Sequence, residues 1–192
     1  MNYTNNEIKH ILSQRLPSKR YLHVLGVCET AVKMACKFGV DEQKAYLAAL
    51  LHDCVKYMPA SELIECANNL GVELSDEDIE CPQVIHAPLG AEIAKVEYGI
   101  EDNEILDAIK YHTVARESMT KLDMIIYVAD MIEPTRNFDG VEALREIAFE
   151  DLKNGFIECL KTSLMFNIKA NKKIHSNSLK CWNSILKKGS NI

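Results

Sequence analysis

The apolar run Ala45-Tyr46-Leu47-Ala48-Ala49-Leu50-Leu51 leads without a break into His52-Asp53. Ala45, Ala48, Ala49 and His52 keep the i, i+3, i+4, i+7 spacing of one helical face, so the imidazole is turned toward the core. The carboxylate follows about 100° further round the axis. A buried carboxylate without a partner is costly, and a bound cation removes that cost. Neutral imidazole with carboxylate suits Zn, Fe, Mn and similar divalent ions, whereas a soft-metal site would recruit thiolates. The pair therefore points to a metal-dependent hydrolase.

The other candidate ligands stand at the ends of separate helical segments. Four of the six histidines, His23, His52, His86 and His112, fall near apolar helical faces. His10 reads as a solvated helix residue and His175 lies in a polar stretch near the C-terminus. Asp130 lies deep in Met124-Ile125-Ile126-Tyr127-Val128-Ala129-Asp130, where an acid is expensive unless paired or metal-bound. Asp123, seven residues earlier on the same face, reads as an acid favoured by the helix dipole. Seven scattered cysteines, with no Cys-x-x-Cys pair, read as reduced thiols of a cytoplasmic protein, Cys54 among them as a packed core residue.

The segments between these residues read as helices. Only eight glycines and five prolines interrupt 192 residues, and 47% hydrophobic content is enough for one sizeable core. Asn5 or Asn6 caps a first helix to Leu16, Ser18 a second to Phe38, and Asp41 a third. Ser61 opens a helix to Leu70, and the acidic stretch Glu73 to Glu80 reads as a solvated loop. Pro88 marks the next helix, Asp102 or Asn103 starts the one that delivers His112 and Thr113, and Leu122 to Glu133 is the most apolar helix, stopped by Pro134. Gly140 to Lys169, with a break, and Ser176 to Lys188 complete an all-α, single-domain bundle. The net charge of −6 argues against a nucleic-acid-coating surface, but not against a small phosphorylated substrate. No apolar run approaches a membrane span, and the apolar content is compatible with a homodimer.

The ordered set His23, His52-Asp53, His86, His112, Asp130 resembles the HD-domain superfamily of metal-dependent phosphohydrolases. Arg20-Tyr21-Leu22-His23-Val24-Leu25-Gly26-Val27, His52-Asp53-Cys54-Val55-Lys56, His86-Ala87-Pro88-Leu89-Gly90-Ala91 and Ala129-Asp130-Met131-Ile132-Glu133-Pro134-Thr135-Arg136 resemble its YqeK-type branch, the symmetrical bis(5′-nucleosyl)-tetraphosphatases. That branch hydrolyses diadenosine tetraphosphate to two ADP. One departure is Ile174-His175-Ser176, where the family has Ile-His-Pro. The resemblance implies one domain over residues 1–192, with a core at 18–135 and C-terminal helices at 140–188. It implies that His23, His52, Asp53 and Asp130 hold a tight metal, expected to be iron, with Mn, Co or Zn as alternatives. His86 and His112 would complete a second, weaker position bridged by Asp53, or meet the phosphate.

Hydrolysis of a phosphoanhydride needs an attacking hydroxide, neutralised phosphoryl oxygens and an in-line leaving group; a metal brings the pKa of bound water toward ~7. Asp53 would orient or deprotonate that water. Lys56, one turn from His52, reads equally as a phosphate ligand or a surface lysine, whereas Arg136 offers a two-pronged phosphate grip. Arg20 reads as the partner of a structural acid. Thr113, Asn171, Lys173 and His175 are further candidates for substrate contact. Two alternatives share the ligand set: an HD phosphohydrolase acting on a nucleoside monophosphate, a deoxynucleotide or a guanosine alarmone, and a non-catalytic nucleotide sensor.

Overall fold

The computed structural model describes residues 3–189, and every regular element among them is helical. Helix α1 spans Asn5–Arg15, α2 Ser18–Phe38, α3 Glu42–Leu51, α4 Ala60–Asn69 and α5 Asp76–Glu80. A 3-10 turn at Pro82–Val84 leads into α6, His86–Val96, followed by α7, Asn103–Tyr111, and α8, Lys121–Ile132. Then come α9, Val141–Glu150, α10, Leu152–Lys169, and α11, Ser176–Gly189.

Helix α8 is the axis of the bundle. Ile125, Ile126, Val128 and Ala129 are inaccessible to solvent, and α2, α3, α7, α9 and α10 pack around it. Its start is fixed twice over. Thr120 and Asp123 form a reciprocal capping box, and Arg116 holds the buried Asp123 carboxylate at 2.7 Å and 3.0 Å while reaching Asp107. Asp123 is therefore a helix-start acid, as its position implies.

Asp41 and Asp102 cap α3 and α7 through backbone amides, and Gly39 closes α2 at φ +66°, where a side chain would be strained. The break inside 140–169 falls at Asp151, which ends α9 and caps α10.

Four expectations are corrected. Thr4, not Asn5 or Asn6, caps α1, because Glu7 can reach back to complete a capping box. Ser18 and Ser61 lie inside their helices, whose N-caps are Pro17 and Pro59. The acidic stretch is not all loop: Ser75 and Asp78 cap each other and nucleate α5. All seven cysteines are free thiols, and Cys54 is buried. Among the described residues no helix is long and apolar enough to cross a membrane.

Candidate metal centre

The candidate ligands converge from five helices. His23 projects from α2, His52 caps the end of α3 and Asp53 follows it, His86 opens α6, His112 caps the end of α7, and Asp130 lies in the last turns of α8. All but Asp130 are buried, and the Asp130 carboxylate is 26% exposed. His23 lies inside α2 and the others at or near helix ends, so rigid elements aim short side chains at one point.

Each imidazole has one nitrogen committed outward. Nδ1 of His23 faces Glu133 Oε1 at 3.0 Å, that of His52 faces the Ala49 carbonyl at 2.6 Å, and those of His86 and His112 face the carbonyls of Gln83 and Ile109 at 2.7 Å. A carbonyl can only accept, so Nδ1 of His52, His86 and His112 carries the proton and Nε2 is left as the lone pair, as in metal-ligating histidines, whereas His23 has a carboxylate oxygen at 3.0 Å on each ring nitrogen.

The inward-facing nitrogens meet other electron-rich atoms. His23 Nε2 lies 3.0 Å from Asp130 Oδ1, and His86 Nε2 lies 3.1 Å from His112 Nε2. Nε2 of His23 and of His52 are buried without a hydrogen bond. Acceptors packed together in this way repel unless a cation stands between them, so the donor set fits a divalent metal ion. Two groups have the spacing: His23, His52 and Asp130, and His52, Asp53 and His112, each with ligand atoms within 4.8 Å of one another.

His52 belongs to both groups, and Asp53, a member of the second, lies 3.8 Å from His23 Nε2 of the first. Oδ2 lies 3.4 Å from His52 Nε2 and 2.9 Å from Arg20, while Oδ1 lies 3.3 Å from His86 Nε2 and 3.8 Å from His112 Nε2. Burial opposes its ionisation, yet His52, His86 and Lys56 together hold its carboxyl well below the usual range. Burial also opposes ionisation of Asp130, and His23, His52 and Arg136 outweigh it. Burial and the Lys56 ammonium push His86 well below an ordinary imidazole, and burial with His52 brings His112 down to about 4. Both are thus neutral at pH 7, the form a metal requires.

Cations ring the cluster. The Lys56 ammonium sits 2.8 Å and 3.0 Å from the two ring nitrogens of His86, and burial lowers its pKa, so it is no surface lysine. Arg136 grips Asp130 twice, through the carboxylate at 2.5 Å and the carbonyl at 2.8 Å. Arg20 does pair with an acid, but the acid is Asp53, which puts Arg20 in the site. The Thr113 hydroxyl lies within 3.2 Å of Nε2 of His86 and His112.

Two cavities flank this ring. One, of about 390 Å³, runs between α8 and α10 from His112, Thr113, Asp130 and Arg136. The other, of about 340 Å³, lies over His23 and is lined by Lys19, Arg20, Thr135, Arg136 and Asn137.

Asn171, Lys173 and His175 line neither cavity. His175 bonds Asp78 at 3.1 Å, Lys173 pairs with Glu80 at 2.5 Å, and Ser176 gives Glu77 both its amide and its hydroxyl. This segment clips α11 onto α5, because the acidic stretch presents carboxylates where a basic turn passes.

Two contributors escape a reading by pattern. Glu133 is buried and anchors His23, while its carboxylate accepts from the Thr135 amide and hydroxyl at 2.6 Å. A Cβ at Gly26 would meet Glu133 Oε2 at 2.6 Å, so the glycine makes room for it. Arg145 donates to the carbonyls of Ile132, Glu133 and Arg136 and fixes the turn after α8. Glu133 stands three residues after Asp130, a spacing that places both on one side of the helix; Arg145 carries no such signal.

Comparison with known proteins agrees with this arrangement. The family model described as HD domain matches residues 20–135. The chain is 39% identical over 174 residues to the symmetrical bis(5′-nucleosyl)-tetraphosphatase of Bacillus subtilis (strain 168), covering 90% of this chain and 92% of that one. It is 37% identical over 179 residues to the protein of the same name from Staphylococcus aureus (strain NCTC 8325 / PS 47), covering 91% of each. A crystal structure of a predicted HD superfamily hydrolase involved in NAD metabolism, from Clostridium acetobutylicum, is similar with a TM-score of 0.94 at 38% identity. It covers 98% of this chain and 100% of that one.

Proposed function

The chain belongs to the HD domain family, and we infer that it is a divalent-metal-dependent symmetrical bis(5′-nucleosyl)-tetraphosphatase that cleaves diadenosine tetraphosphate into two ADP. The observation that carries this reading is the converging set of bare imidazole nitrogens and carboxylates beneath a collar of cations, in a chain matched nearly end to end by relatives of that name.

In this reading His23, His52, Asp53 and Asp130 hold the ion, and His86 and His112 complete a second position or face the phosphate. Iron is the ion proposed, supported by the all-nitrogen and oxygen donor set, which also accepts Mn, Co and Zn. Such an ion supplies Lewis-acid charge at the phosphoryl oxygens and a more acidic water.

The protein's own groups do the rest. Arg136, Arg20 and Lys56 meet the negative charge of the polyphosphate, although the chain as a whole carries −6. Asp53 orients the attacking water and takes its proton. The water oxygen bonds to one of the two central phosphorus atoms, the bridging oxygen leaves with the other, and each half departs as ADP. Thr113 donates its hydroxyl beside His86 and His112.

Elemental analysis and product chromatography on one preparation test the proposal. ADP as sole product, with stoichiometric divalent metal, is expected. ATP plus AMP would overturn the symmetrical cut, and a protein that binds the dinucleotide without turnover would be a sensor instead.

A further inference from the structure

The two cavities beside the cluster differ in chemistry, whereas the two ends of the proposed substrate do not. The cavity between α8 and α10 runs from His112, Thr113, Asp130 and Arg136 at the cluster to a wall of Tyr127, Met131, Phe138 and Phe166, where Thr162 and Ser163 add hydroxyls. Its volume of about 390 Å³ and apolar, aromatic lining match small-molecule pockets, which run roughly 300–1,000 Å³ with few placed polar groups. Phe166 lines the cavity with its ring 59% exposed, and the Lys172 ammonium stands 5.0 Å from the ring centroid. Bases stack on such rings whatever their identity, and hydroxyls suit a base edge. The cavity over His23 instead offers Lys19, Arg20, Thr135 and Asn137. Arg136 and Phe138 line both and form the ridge between them.

We propose that the cavity between α8 and α10 binds one nucleoside of the substrate, while the cavity over His23 takes phosphate only, so the symmetric molecule is held by one nucleoside and its polyphosphate. This rests on the dinucleoside reading above. The second nucleoside lies beyond the cationic cavity and contributes little affinity. A substrate lacking it altogether, adenosine 5′-tetraphosphate, is then equivalent: water attacks a central phosphorus, the central bridging oxygen leaves, and the products are ADP and pyrophosphate.

Kinetics with diadenosine tetraphosphate and adenosine 5′-tetraphosphate on the metal-loaded protein decide the matter. The two KM values are expected to agree within about threefold, since one nucleoside grip is common to both. Phe166→Ala is expected to raise both by roughly tenfold, the loss of one stacked base. Ile168→Ala is the control, because Ile168 is 55% exposed on the same helix but outside the cavity, and it should keep the wild-type KM. A dinucleotide preference of tenfold or more, or a wild-type KM in Phe166→Ala, overturns the inference while leaving the enzyme assignment standing. Failure of the wild type to release ADP from the dinucleotide overturns the assignment itself.

Discussion

Asp53 meets a guanidinium and four imidazoles with two oxygen atoms. It belongs to one candidate ligand group and reaches His23 of the other, beside the His52 that both share, so its loss should be felt in binding and chemistry together. Asp53→Ala is expected to abolish ADP release and to lower retained metal, measured by elemental analysis after desalting. Wild-type turnover with wild-type metal content in that variant would remove Asp53 from the site. Arg136 separates the two properties. Its guanidinium lies 2.5 Å from the Asp130 carboxylate, close enough to hold Asp130 and also to reach a phosphate in the adjoining cavities. A two-pronged charged donor to phosphate contributes about 1.5–3 kcal/mol, so Arg136→Ala should lose roughly ten- to a hundredfold in kcat/KM and keep its metal. Arg136→Lys should recover part of that, because it keeps the charge without the fork. If Arg136→Ala instead loses metal in proportion to activity, its work is to brace Asp130.

At the scale of elements, the centre depends on how α2 crosses α8. His23 and Gly26 are one turn apart on α2, and Glu133 emerges from the end of α8 into the space that Gly26 leaves open. Outer partners of ligating histidines fix ring orientation and basicity, and their loss typically costs 10–100-fold in metal affinity. Glu133→Gln is therefore expected to weaken metal binding about tenfold in a chelator competition. Gly26→Ala should weaken it in the same sense, since its Cβ displaces the carboxylate. Wild-type affinity in both variants would show that His23 is oriented by its packing alone. This crossing also marks where the sequence stops being readable. The candidate ligands that the fold brings together could be read because polar groups on apolar helical faces are locally conspicuous, and Asp41, Asp102 and Gly39 announce helix ends through their own backbone chemistry. Glu133, Gly26 and Arg145 act across elements far apart in the chain, and only docking reveals their partners. The α5 segment shows the converse error: its charge suggested solvated loop, while the reciprocal Ser75–Asp78 cap stabilised a helical turn and the basic 173–176 turn covered it.

For the molecule as a whole, the centre is also a cross-link. Its donors come from α2, α3 and α8 in one group, with the end of α7 joining α3 in the other, and these helices carry a large share of the buried core. In the absence of a cation the same atoms face each other as buried acceptors, which opposes packing of those helices. A divalent ion that binds the folded chain and not the unfolded one adds about 2.7 kcal/mol when present at a hundred times its Kd. For a domain of this size each kcal/mol moves Tm by about 2–4 °C, so chelation is expected to lower Tm by roughly 5–10 °C. Calorimetry of the metal-loaded protein with and without chelator, followed by re-addition of iron, manganese or zinc, measures this directly. Recovery of Tm should track recovery of ADP release across the metals if one centre serves both stability and catalysis. An unchanged Tm in protein shown to be metal-free would mean that the helices close around the cluster without help from the ion.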